Sequence, residues 1–262
     1  MSKVIDLFLF MGQSNMAGRG ITNDVWQEEA PRILPGAGYE FRAITDPTQL
    51  YEMSEPFGEK ENTGNGINDG AMKTGSLVTA FTNIYYTHNG NVPVVGISAS
   101  KGGSVIGEWQ PGGKYLTDTL QRLKSCISFL EGNDYIIRHK YVLWCQGESD
   151  GDAGTSEADY LQGLENMWTE LKNAGVEKLF MIGIGNCNIE GAFDRYKSVQ
   201  AWQKEFVQSH EDVYLVSTVF EGMRARGLMK DAFHYYQQGY NECGRDAAMN
   251  LAYMHENGKF IL

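Results

Sequence analysis

The chain has 262 residues, of which 42% are hydrophobic and 21% are charged. These fractions are typical of a globular protein with a sizeable core, and the length suits one large α/β domain or two small ones. The formal net charge of −11 repels nucleic acid and anionic membrane surfaces, which excludes both as expected partners. A neutral or weakly charged small molecule fits this charge best, unless a local basic pocket overrides the overall field.

The cysteines and the lack of long apolar stretches indicate in which cellular compartment the protein is expected to reside. Cys126, Cys145, Cys187 and Cys243 form no CxxC pair, so we predict reduced thiols that serve as small apolar residues. Reduced thiols suit a reducing compartment. Asp6 interrupts the N-terminal apolar run early, and no stretch approaches the roughly 20 apolar residues of a transmembrane helix. We therefore predict a cytoplasmic location, with secretion as the alternative if a leader has been removed.

Runs rich in β-forming residues alternate with helical patterns, which is typical of a parallel sheet covered by helices on both faces. Apolar residues recur at three- and four-residue spacing in the helical segments. The predicted elements, in chain order, are a strand over 4–10, an irregular excursion over 21–75 with a strand near 39–43, a helix over 76–87, a strand over 92–98, a helix over 115–130, a strand over 141–145, a helix over 157–174, a strand over 179–184, a helix over 192–208, a strand over 213–217 and a helix over 237–254. We predict one domain over 1–262.

Polar motifs directly follow three of these strands, those over 4–10, 92–98 and 141–145. In open parallel sheets, ligands bind beyond the carboxyl ends of the strands, which is where these motifs would meet. The sequence therefore predicts a single site at that edge of the sheet.

The first motif, GQSNMAG over 12–18, places Ser14 between a strand and the start of a helix. The unpaired amides of a first helical turn can stabilise the oxyanion that forms when a serine oxygen attacks a carbonyl carbon. A serine at this position is also a common helix N-cap. The motif alone leaves both interpretations open.

A second motif, DAFH over 231–234, supplies what a serine nucleophile needs. A hydroxyl requires a base within hydrogen-bond reach, and that base requires a third group to fix its tautomer. A three-residue separation on a turn lets the carboxylate of Asp231 meet the ring of His234. DxxH by itself is a common surface pair, so the prediction of a serine esterase depends on its combination with Ser14.

Two further motifs border the predicted site. In WCQGESD, Gln146 ends a buried strand, where its amide either faces the pocket floor or caps the strand. In KGGS over 101–104, glycine permits a tight turn that aims a backbone N–H inward. We predict that Glu148 orders the pocket by accepting hydrogen bonds near Ser14, in preference to acting with Asp150 in glycoside cleavage.

No metal or cofactor is predicted. No two of the five histidines stand four residues apart, and no Cys/His spacing resembles a zinc site. The glycine-rich stretch over 64–76 lacks the GxxxxGK[ST] spacing of a phosphate loop.

Together the motifs resemble the SGNH-hydrolase superfamily, and within it the sialate O-acetylesterase and acetylxylan esterase group, carbohydrate esterase family 6. The matching segments are GQSNMAG at 12–18 for the nucleophile block, GGSVIGEW at 102–109 for the GGT-x-I-x-E-W block, WCQGESD at 144–150 for the QGE block and DAFHYYQQGYNECG at 231–244 for the D-x-x-H block. The four blocks keep the order of the family and span residues 4 to about 250.

The resemblance implies a flavodoxin-like, three-layer α/β/α sandwich with a parallel sheet. It also implies removal of O-acetyl groups from a sugar, without a cofactor, by a serine nucleophile, a histidine base and an oxyanion hole completed by the serine amide. The residues that it implies for catalysis are Ser14, Asp231, His234, Gly103 (with Gly102 as the alternative) and Gln146.

The predicted contacts with substrate are Gln13, Asn15, Gly102, Trp109 and Glu148. Among them, the aromatic face of Trp109 is the predicted platform for a sugar ring.

Two segments depart from the family pattern, the lead-in EGMRARGLMK at 221–230 and the loop over 55–75. Both bear on substrate identity, and Arg224 and Arg226 of the lead-in are candidates for contact with an anionic group. The predicted substrate is an acetylated xylo-oligosaccharide or an acetylated sialic acid. The alternatives are another short-chain esterase or thioesterase on the same triad, and a catalytically idle sugar-binding module.

Overall fold

The computed structural model describes residues 3–259, in which seven strands form a sheet. The strands are β1 Lys3–Gly12, β2 Gly38–Phe41, β3 Leu50–Glu52, β4 Val94–Ser100, β5 Tyr135–Cys145, β6 Lys178–Ile182 and β7 Val213–Ser217. They lie in the order β3-β2-β4-β1-β5-β6-β7. β3 runs antiparallel to β2, and the other pairs are parallel.

Apart from β2 and β3, the sheet has the strand order of flavodoxin. When β1, β4, β5, β6 and β7 are counted as the first to fifth strands, their spatial order is 2-1-3-4-5. The winding of the chain therefore reverses between β1 and β5, and this topological switch point is where such sheets bind ligands. The excursion between β1 and β4 adds β2 and β3 at the edge next to β4.

Helices cover both faces of this sheet. They are α1 Ser14–Ala17, α2 Val78–His88, α3 Lys114–Gly132, α4 Glu148–Ala153, α5 Glu157–Asn173, α6 Lys197–Gln208, α7 Phe220–Met223 and α8 Gln237–Glu256, with two short 3₁₀ turns, Gly70–Met72 and Ile106–Trp109.

The core is divided in two by the alternation of side chains along β1. Leu7 and Leu9 point to one face, where they pack with residues of α3, α5 and α6. Phe8 and Phe10 point to the other face, where α2 and α8 lie. The predicted three-layer α/β/α sandwich is confirmed.

Several boundaries differ from the sequence-based ones. β5 begins at Tyr135, six residues before the predicted start. The prediction began too late because Arg138, in the first half of the strand, is a charged residue that pairs with the fully buried Asp6 of β1. Their Nε and Oδ1 atoms are 2.9 Å apart, and the Tyr85 hydroxyl also donates to Asp6 at 2.8 Å. Such polar pairs interrupt the apolar sequence pattern, although the strand itself continues. The short elements β3 and α4 were not predicted, and α6 begins at Lys197 instead of residue 192.

The register places three strand ends at one level. Gly12 at the end of β1 lies opposite Ser100 of β4 and Cys145 of β5. The residues that follow these strands, which include the GQSNMAG, KGGS and QGE segments, therefore meet at the edge of the sheet beside the switch point.

The irregular excursion is fixed by polar contacts. Glu61 accepts hydrogen bonds from the backbone N–H groups of Ile44 at 2.9 Å and Thr45 at 3.2 Å. Asn62 accepts one from the N–H of Asp69 at 2.9 Å. These contacts hold Asp69 and the adjoining 3₁₀ turn at the same edge of the sheet.

All four cysteines are free and buried, as predicted. Over residues 3–259, no helix combines the length and the apolar character needed to cross a membrane.

Candidate active site

Ser14 is placed by a sharp passage from strand to helix. Gly12 has φ +143°, and a Cβ there would lie 2.1 Å from the carbonyl oxygen of Cys145, so only glycine fits. The N–H of Gln13 donates to that same carbonyl at 2.9 Å. Ser14 then opens α1, where a backbone N–H has no intrahelical acceptor.

Ser14, His234 and Asp231 converge from opposite ends of the chain. The Nε2 atom of His234 lies 2.9 Å from the Oγ atom of Ser14. The Nδ1 atom of His234 lies 3.1 and 3.0 Å from the two carboxylate oxygens of Asp231. The imidazole therefore has an orienting carboxylate on one side and a hydroxyl on the other, which is the geometry of a base-activated nucleophile.

The loop around Asp231 holds this carboxylate ionised. Partial burial acts to raise the pKa of Asp231, but hydrogen bonds from the His234 ring and from the backbone N–H of Phe233 outweigh burial and lower it. The N–H groups of Phe233 and His234 each donate to Oδ1 at 2.8 Å. The loop is closed by a bridge between Met229 and Tyr235. Asp231 can therefore fix the tautomer of His234 without being protonated itself.

Asn15 ties the nucleophile to the loop that carries the base. Its Nδ2 atom donates to the carbonyl of Phe233 at 3.1 Å and to Oε1 of Glu148 at 2.5 Å, and its Oδ1 accepts from the Tyr240 hydroxyl at 2.7 Å. Asn15 is fully buried and lies off the cleft. The structure therefore gives it a positioning role, contrary to the predicted contact with substrate.

Glu148 lies on the cleft wall but is almost completely buried. Burial raises the pKa of its carboxyl, and the hydrogen bond from Asn15 opposes that rise. Glu148 accepts a hydrogen bond from Asn15, the residue next to Ser14, and its ordering of the pocket and its contact with substrate stay predictions.

The KGGS turn lies against the nucleophile segment. The N–H of Lys101 donates to the carbonyl of Gly12 at 2.8 Å, and the Ser104 hydroxyl donates to the carbonyl of Lys101 at 2.8 Å. Gly103 lines the cleft with φ +74°. A Cβ on Gly103 would meet nothing within 4 Å, so glycine is needed there for its backbone conformation alone.

Gly102 also lines the cleft, but glycine is needed there for a different reason. A Cβ on this residue would lie 2.5 Å from a guanidinium nitrogen of Arg19. Within residues 3–259, no acceptor takes the backbone N–H of Ser14 or of Gly103. These two groups are therefore free to bind an oxyanion.

Gln146 does not reach the cleft, contrary to its predicted role in the oxyanion hole. Its side chain is fully buried, and Nε2 donates to the carbonyl of Ser104 at 3.0 Å and to the carboxylate of Asp150. Its backbone carbonyl accepts from the Tyr160 hydroxyl at 3.0 Å and from Gln203 at 2.8 Å. Its side chain instead joins the end of β5 to the KGGS turn and to α4.

Gln13 lines the cleft, although its amide is engaged by protein groups, and its contact with substrate stays a prediction. Its Nε2 atom donates to the Ser149 hydroxyl at 3.2 Å, and its Oε1 atom accepts from the N–H of Gly147 at 2.9 Å. Gln13 therefore joins the nucleophile segment to the residues that follow β5.

Trp109 is not a sugar platform in this structure. It is fully buried, its Nε1 donates to the Ser104 hydroxyl at 3.0 Å, and its ring packs edge-on against Trp144 with centroids 5.5 Å apart. The predicted contact with substrate is corrected for this reason. Trp144 lies in the core, as expected.

The cleft is also lined by residues that sequence reasoning missed. Arg19 donates to Oδ2 of Asp69 at 2.6 Å, and the Nζ atom of Lys101 lies 3.5 Å from Oδ1 of Asp69. Arg19 directly follows GQSNMAG and Lys101 opens the glycine turn, so their positions carried a signal. Asp69 lies in the irregular excursion, where no pattern marked it.

The two arginines proposed for anion contact lie elsewhere. Arg226 forms a double hydrogen bond with Glu242, at 2.6 and 3.0 Å. The guanidinium of Arg224 lies 3.1 Å from the ring centroid of Phe193. Neither arginine lines the cleft.

The cleft around Ser14 has a volume of about 370 Å³, and most of the residues that line it are polar or charged. Its apolar side chains are Met72 and Phe233. It could admit a sugar with a short acyl group, and it offers no long apolar channel within the described part of the chain.

A family model described as carbohydrate esterase, sialic acid-specific acetylesterase, matches residues 4–253. The chain belongs to this family. Membership makes this esterase a carbohydrate O-acetylesterase, which confirms the predicted enzyme class.

Solved structures show the same fold. The esterase resembles a protein from Arabidopsis thaliana, with 21% identity, a TM-score of 0.69 and coverage of 96% of this chain and 99% of that chain. It resembles NanS with 14% identity, a TM-score of 0.63 and coverage of 97% and 99%. It also resembles a carbohydrate acetylesterase from Xanthomonas citri, with 15% identity, a TM-score of 0.54 and coverage of 95% and 56%. No curated protein matches the chain.

Proposed function

We propose that the esterase removes O-acetyl groups from an acetylated xylo-oligosaccharide or an acetylated sialic acid through an acetyl-serine intermediate. The observation that carries this proposal is the 2.9 Å separation between His234 Nε2 and Ser14 Oγ, with Asp231 on the other ring nitrogen. A catalytically idle sugar-binding module has no need of this alignment.

In the first half of the reaction, Ser14 Oγ attacks the acetyl carbonyl carbon and its proton passes to His234 Nε2. The negative charge that develops on the carbonyl oxygen is stabilised by the free N–H groups of Ser14 and Gly103. The tetrahedral intermediate then collapses, the bond to the sugar oxygen breaks, and His234 returns the proton to that oxygen. Asp231 stabilises the imidazolium throughout.

In the second half, water attacks the acetyl-serine and gives a proton to His234. Collapse of the second tetrahedral intermediate breaks the bond to Ser14 Oγ, which takes the proton back, and acetate leaves. The second hydrogen of the water leaves with the product as acetic acid, which ionises to acetate in solution.

The lining of the cleft favours an acetyl group over a long acyl chain. A thioesterase or lysophospholipase on the same triad needs an apolar channel, and the described cleft presents only Met72 and Phe233 as apolar side chains. We therefore expect the rate of ester hydrolysis to fall as the acyl chain lengthens.

Hydrolysis of 4-nitrophenyl acetate by the wild type and Ser14→Ala tests the mechanism, and acetate release from acetylated xylo-oligosaccharides and sialic acids tests the substrate. Ser149→Ala is the matched control, since Ser149 also lines the cleft but has no histidine partner. We expect Ser14→Ala alone to abolish turnover, and mass spectrometry of the quenched wild type to find one acetyl group on Ser14. Equal rates for the wild type and Ser14→Ala would overturn the proposal.

A further inference from the structure

The cleft contains one aromatic ring besides the imidazole of His234. Among the described residues that line the cleft, this ring belongs to Phe233, which directly precedes the base in the DAFH motif. Phe233 is half-buried, whereas the tryptophans of the neighbouring motifs, Trp109 and Trp144, are fully buried. Phe233 therefore presents an aromatic surface that a bound substrate can reach.

The backbone of Phe233 is fixed on both sides by groups of the site. Its N–H donates to Oδ1 of Asp231 at 2.8 Å, and its carbonyl accepts from Nδ2 of Asn15 at 3.1 Å. The ring packs at the margin of the core on the side of α3, α5 and α6. Its centroid lies 6.1 Å from that of the His234 ring, and the two planes are inclined by 82°. The aromatic ring is thus held at a defined place beside the base.

The reaction determines which part of the substrate lies beside the base. The acetyl carbonyl oxygen has to lie at the free N–H groups of Ser14 and Gly103, which stabilise its developing charge. The sugar oxygen has to take its proton from Nε2 of His234, so it lies within hydrogen-bond reach of that atom. The sugar that carries this oxygen is therefore placed on the His234 side of the cleft, where the Phe233 ring lies.

The surface of a sugar matches that ring. A pyranose presents C–H groups on its faces and hydroxyl groups around its edge, and the negative, apolar face of a phenyl ring packs well against C–H groups. The other apolar side chain of the cleft is Met72, which is 61% exposed and lies in the 3₁₀ turn Gly70–Met72. Its flexible thioether has no flat face. Phe233 is therefore the better match for a sugar ring.

We propose that Phe233 is a specificity-determining residue whose ring is the platform for the sugar of the leaving group while His234 protonates the sugar oxygen. The inference rests on the proposed function and deepens it, because it assigns the sugar to the side of Phe233 and His234 and the acetyl group to the side of Gly103. The favoured substrates are acetylated pyranoses, over acetate esters whose leaving group has no ring. Phe233 takes the role that the sequence predicted for Trp109.

A comparison of two acetate esters tests this platform without knowledge of the natural substrate. Peracetylated xylopyranose and ethyl acetate donate the same acetyl group, but only the first has a sugar ring in its leaving group. The measured quantity is the ratio of their kcat/KM values, from acetate release by the wild type and each variant. A displaced His234 would slow both reactions, and such a common loss cancels in the ratio.

Four variants locate the effect. Phe233→Leu keeps an apolar side chain but removes the aromatic face, so the ratio should fall about fivefold. Phe233→Tyr keeps the face and should keep the ratio. Phe129→Leu is the matched control, since Phe129 is half-buried on α3, packs against Phe41 with centroids 5.3 Å apart and does not line the cleft. Met72→Ala tests the other apolar side chain and should change the ratio less than Phe233→Leu does.

The outcomes separate this inference from the proposed function. If both reactions depend on Ser14 but Phe233→Leu leaves the ratio unchanged, the platform is wrong and the esterase mechanism stands. Equal losses for both esters in Phe233→Leu would mean that the ring acts only through His234, which also overturns the proposal. So would a ratio that falls in Met72→Ala alone, or a wild type that hydrolyses ethyl acetate but not peracetylated xylopyranose. If neither reaction depends on Ser14, the proposed function itself fails.

Discussion

The two walls of the cleft were assembled in different ways. The catalytic wall, named for the proposed reaction, contains Ser14 and His234, with Asp231 behind the His234 ring. These three residues lie within two short motifs of consecutive residues. The basic wall, as we call Arg19, Asp69 and Lys101, combines residues from three separate segments, one of them irregular. The residues of the first wall could be found in the sequence. In the second wall, Arg19 and Lys101 adjoin recognisable motifs, but no pattern marked Asp69.

The difference follows from what each kind of contact requires. Proton transfer between Ser14 and His234 needs hydrogen-bond contact, and a tight turn supplies the local half of that geometry. Recognition of a substrate needs only that charges of the right sign face the cleft, so residues from any part of the chain can contribute. Reaction chemistry is therefore more visible in a sequence than specificity is.

The largest effect on kcat is expected from a substitution in the catalytic wall. Asp231→Asn should lower kcat on the order of 10⁴-fold, because an amide favours the wrong tautomer of His234 and does not stabilise the imidazolium. Steady-state hydrolysis of 4-nitrophenyl acetate measures this. Asp212→Asn is the control, since Asp212 accepts from Trp168 away from the site. A loss of less than tenfold in Asp231→Asn would contradict the assigned role.

The lowered pKa of Asp231 also sets the sign of a pH effect on stability. Ionised Asp231 stabilises the fold fully above the ordinary aspartate value of 3.8, and this contribution declines as pH falls from there towards the lowered folded pKa. The difference in Tm between the wild type and Asp231→Asn should therefore be larger at about pH 6 than at about pH 3. Equal differences at the two pH values would show that the carboxylate is not stabilised in the fold.

The next largest effect is expected on stability, from a substitution among Arg19, Asp69 and Lys101, the residues of the basic wall. Asp69→Asn removes the negative charge beside the buried guanidinium of Arg19, so the free energy of unfolding should fall by about 3–5 kcal/mol. Urea unfolding measures it. Asp194→Asn is the control, because Asp194 pairs with Lys197 on the open surface, and its change should stay within about 0.5 kcal/mol. Similar values for the two variants would mean that the buried pair contributes no more than a surface pair.

A smaller effect tests the turn that joins the two walls. Gly103→Ala puts a side chain on a residue with φ +74°, so the turn should shift and move its N–H away from the cleft. We expect kcat to fall on the order of 100-fold, as for the loss of one oxyanion donor. Gly107→Ala is the control, since a Cβ there also meets nothing and its φ is not positive. Equal kcat values in the two variants would remove Gly103 from the oxyanion hole.

The smallest expected effect on the reaction concerns Trp109, which belongs to neither wall. Trp109→Phe loses the hydrogen bond to Ser104, so stability should fall by about 1–3 kcal/mol. KM for the acetylated sugar should stay within about twofold of the wild type, because the ring is buried behind the cleft. A KM raised on the order of tenfold or more would restore the predicted platform.

Much of the fold could be predicted from local patterns in the sequence. The alternation of strands and helices gave the three-layer sandwich, and the polar residues after β1, β4 and β5 marked the edge that carries the cleft. These features depend on side-chain periodicity and on the common direction of parallel strands, both of which are properties of short stretches of chain. Elements stabilised by long-range polar pairs could not be predicted in this way. An example is the first half of β5, where Arg138 pairs with Asp6.

The sequence by itself predicted Ser14, His234 and Asp231 as a reacting group, because GQSNMAG and DxxH together supply a hydroxyl, a base and an orienting carboxylate. The spacing of DAFH also predicts the local contact between Asp231 and His234, which the structure shows. Only the tertiary structure decided where Gln146 and Trp109 point, since the direction of a side chain at a strand end or in a turn depends on the neighbours that pack against it. It also decided that Asp69 would join Arg19 and Lys101, because that contact exists only once the irregular excursion has folded back over the edge of the sheet.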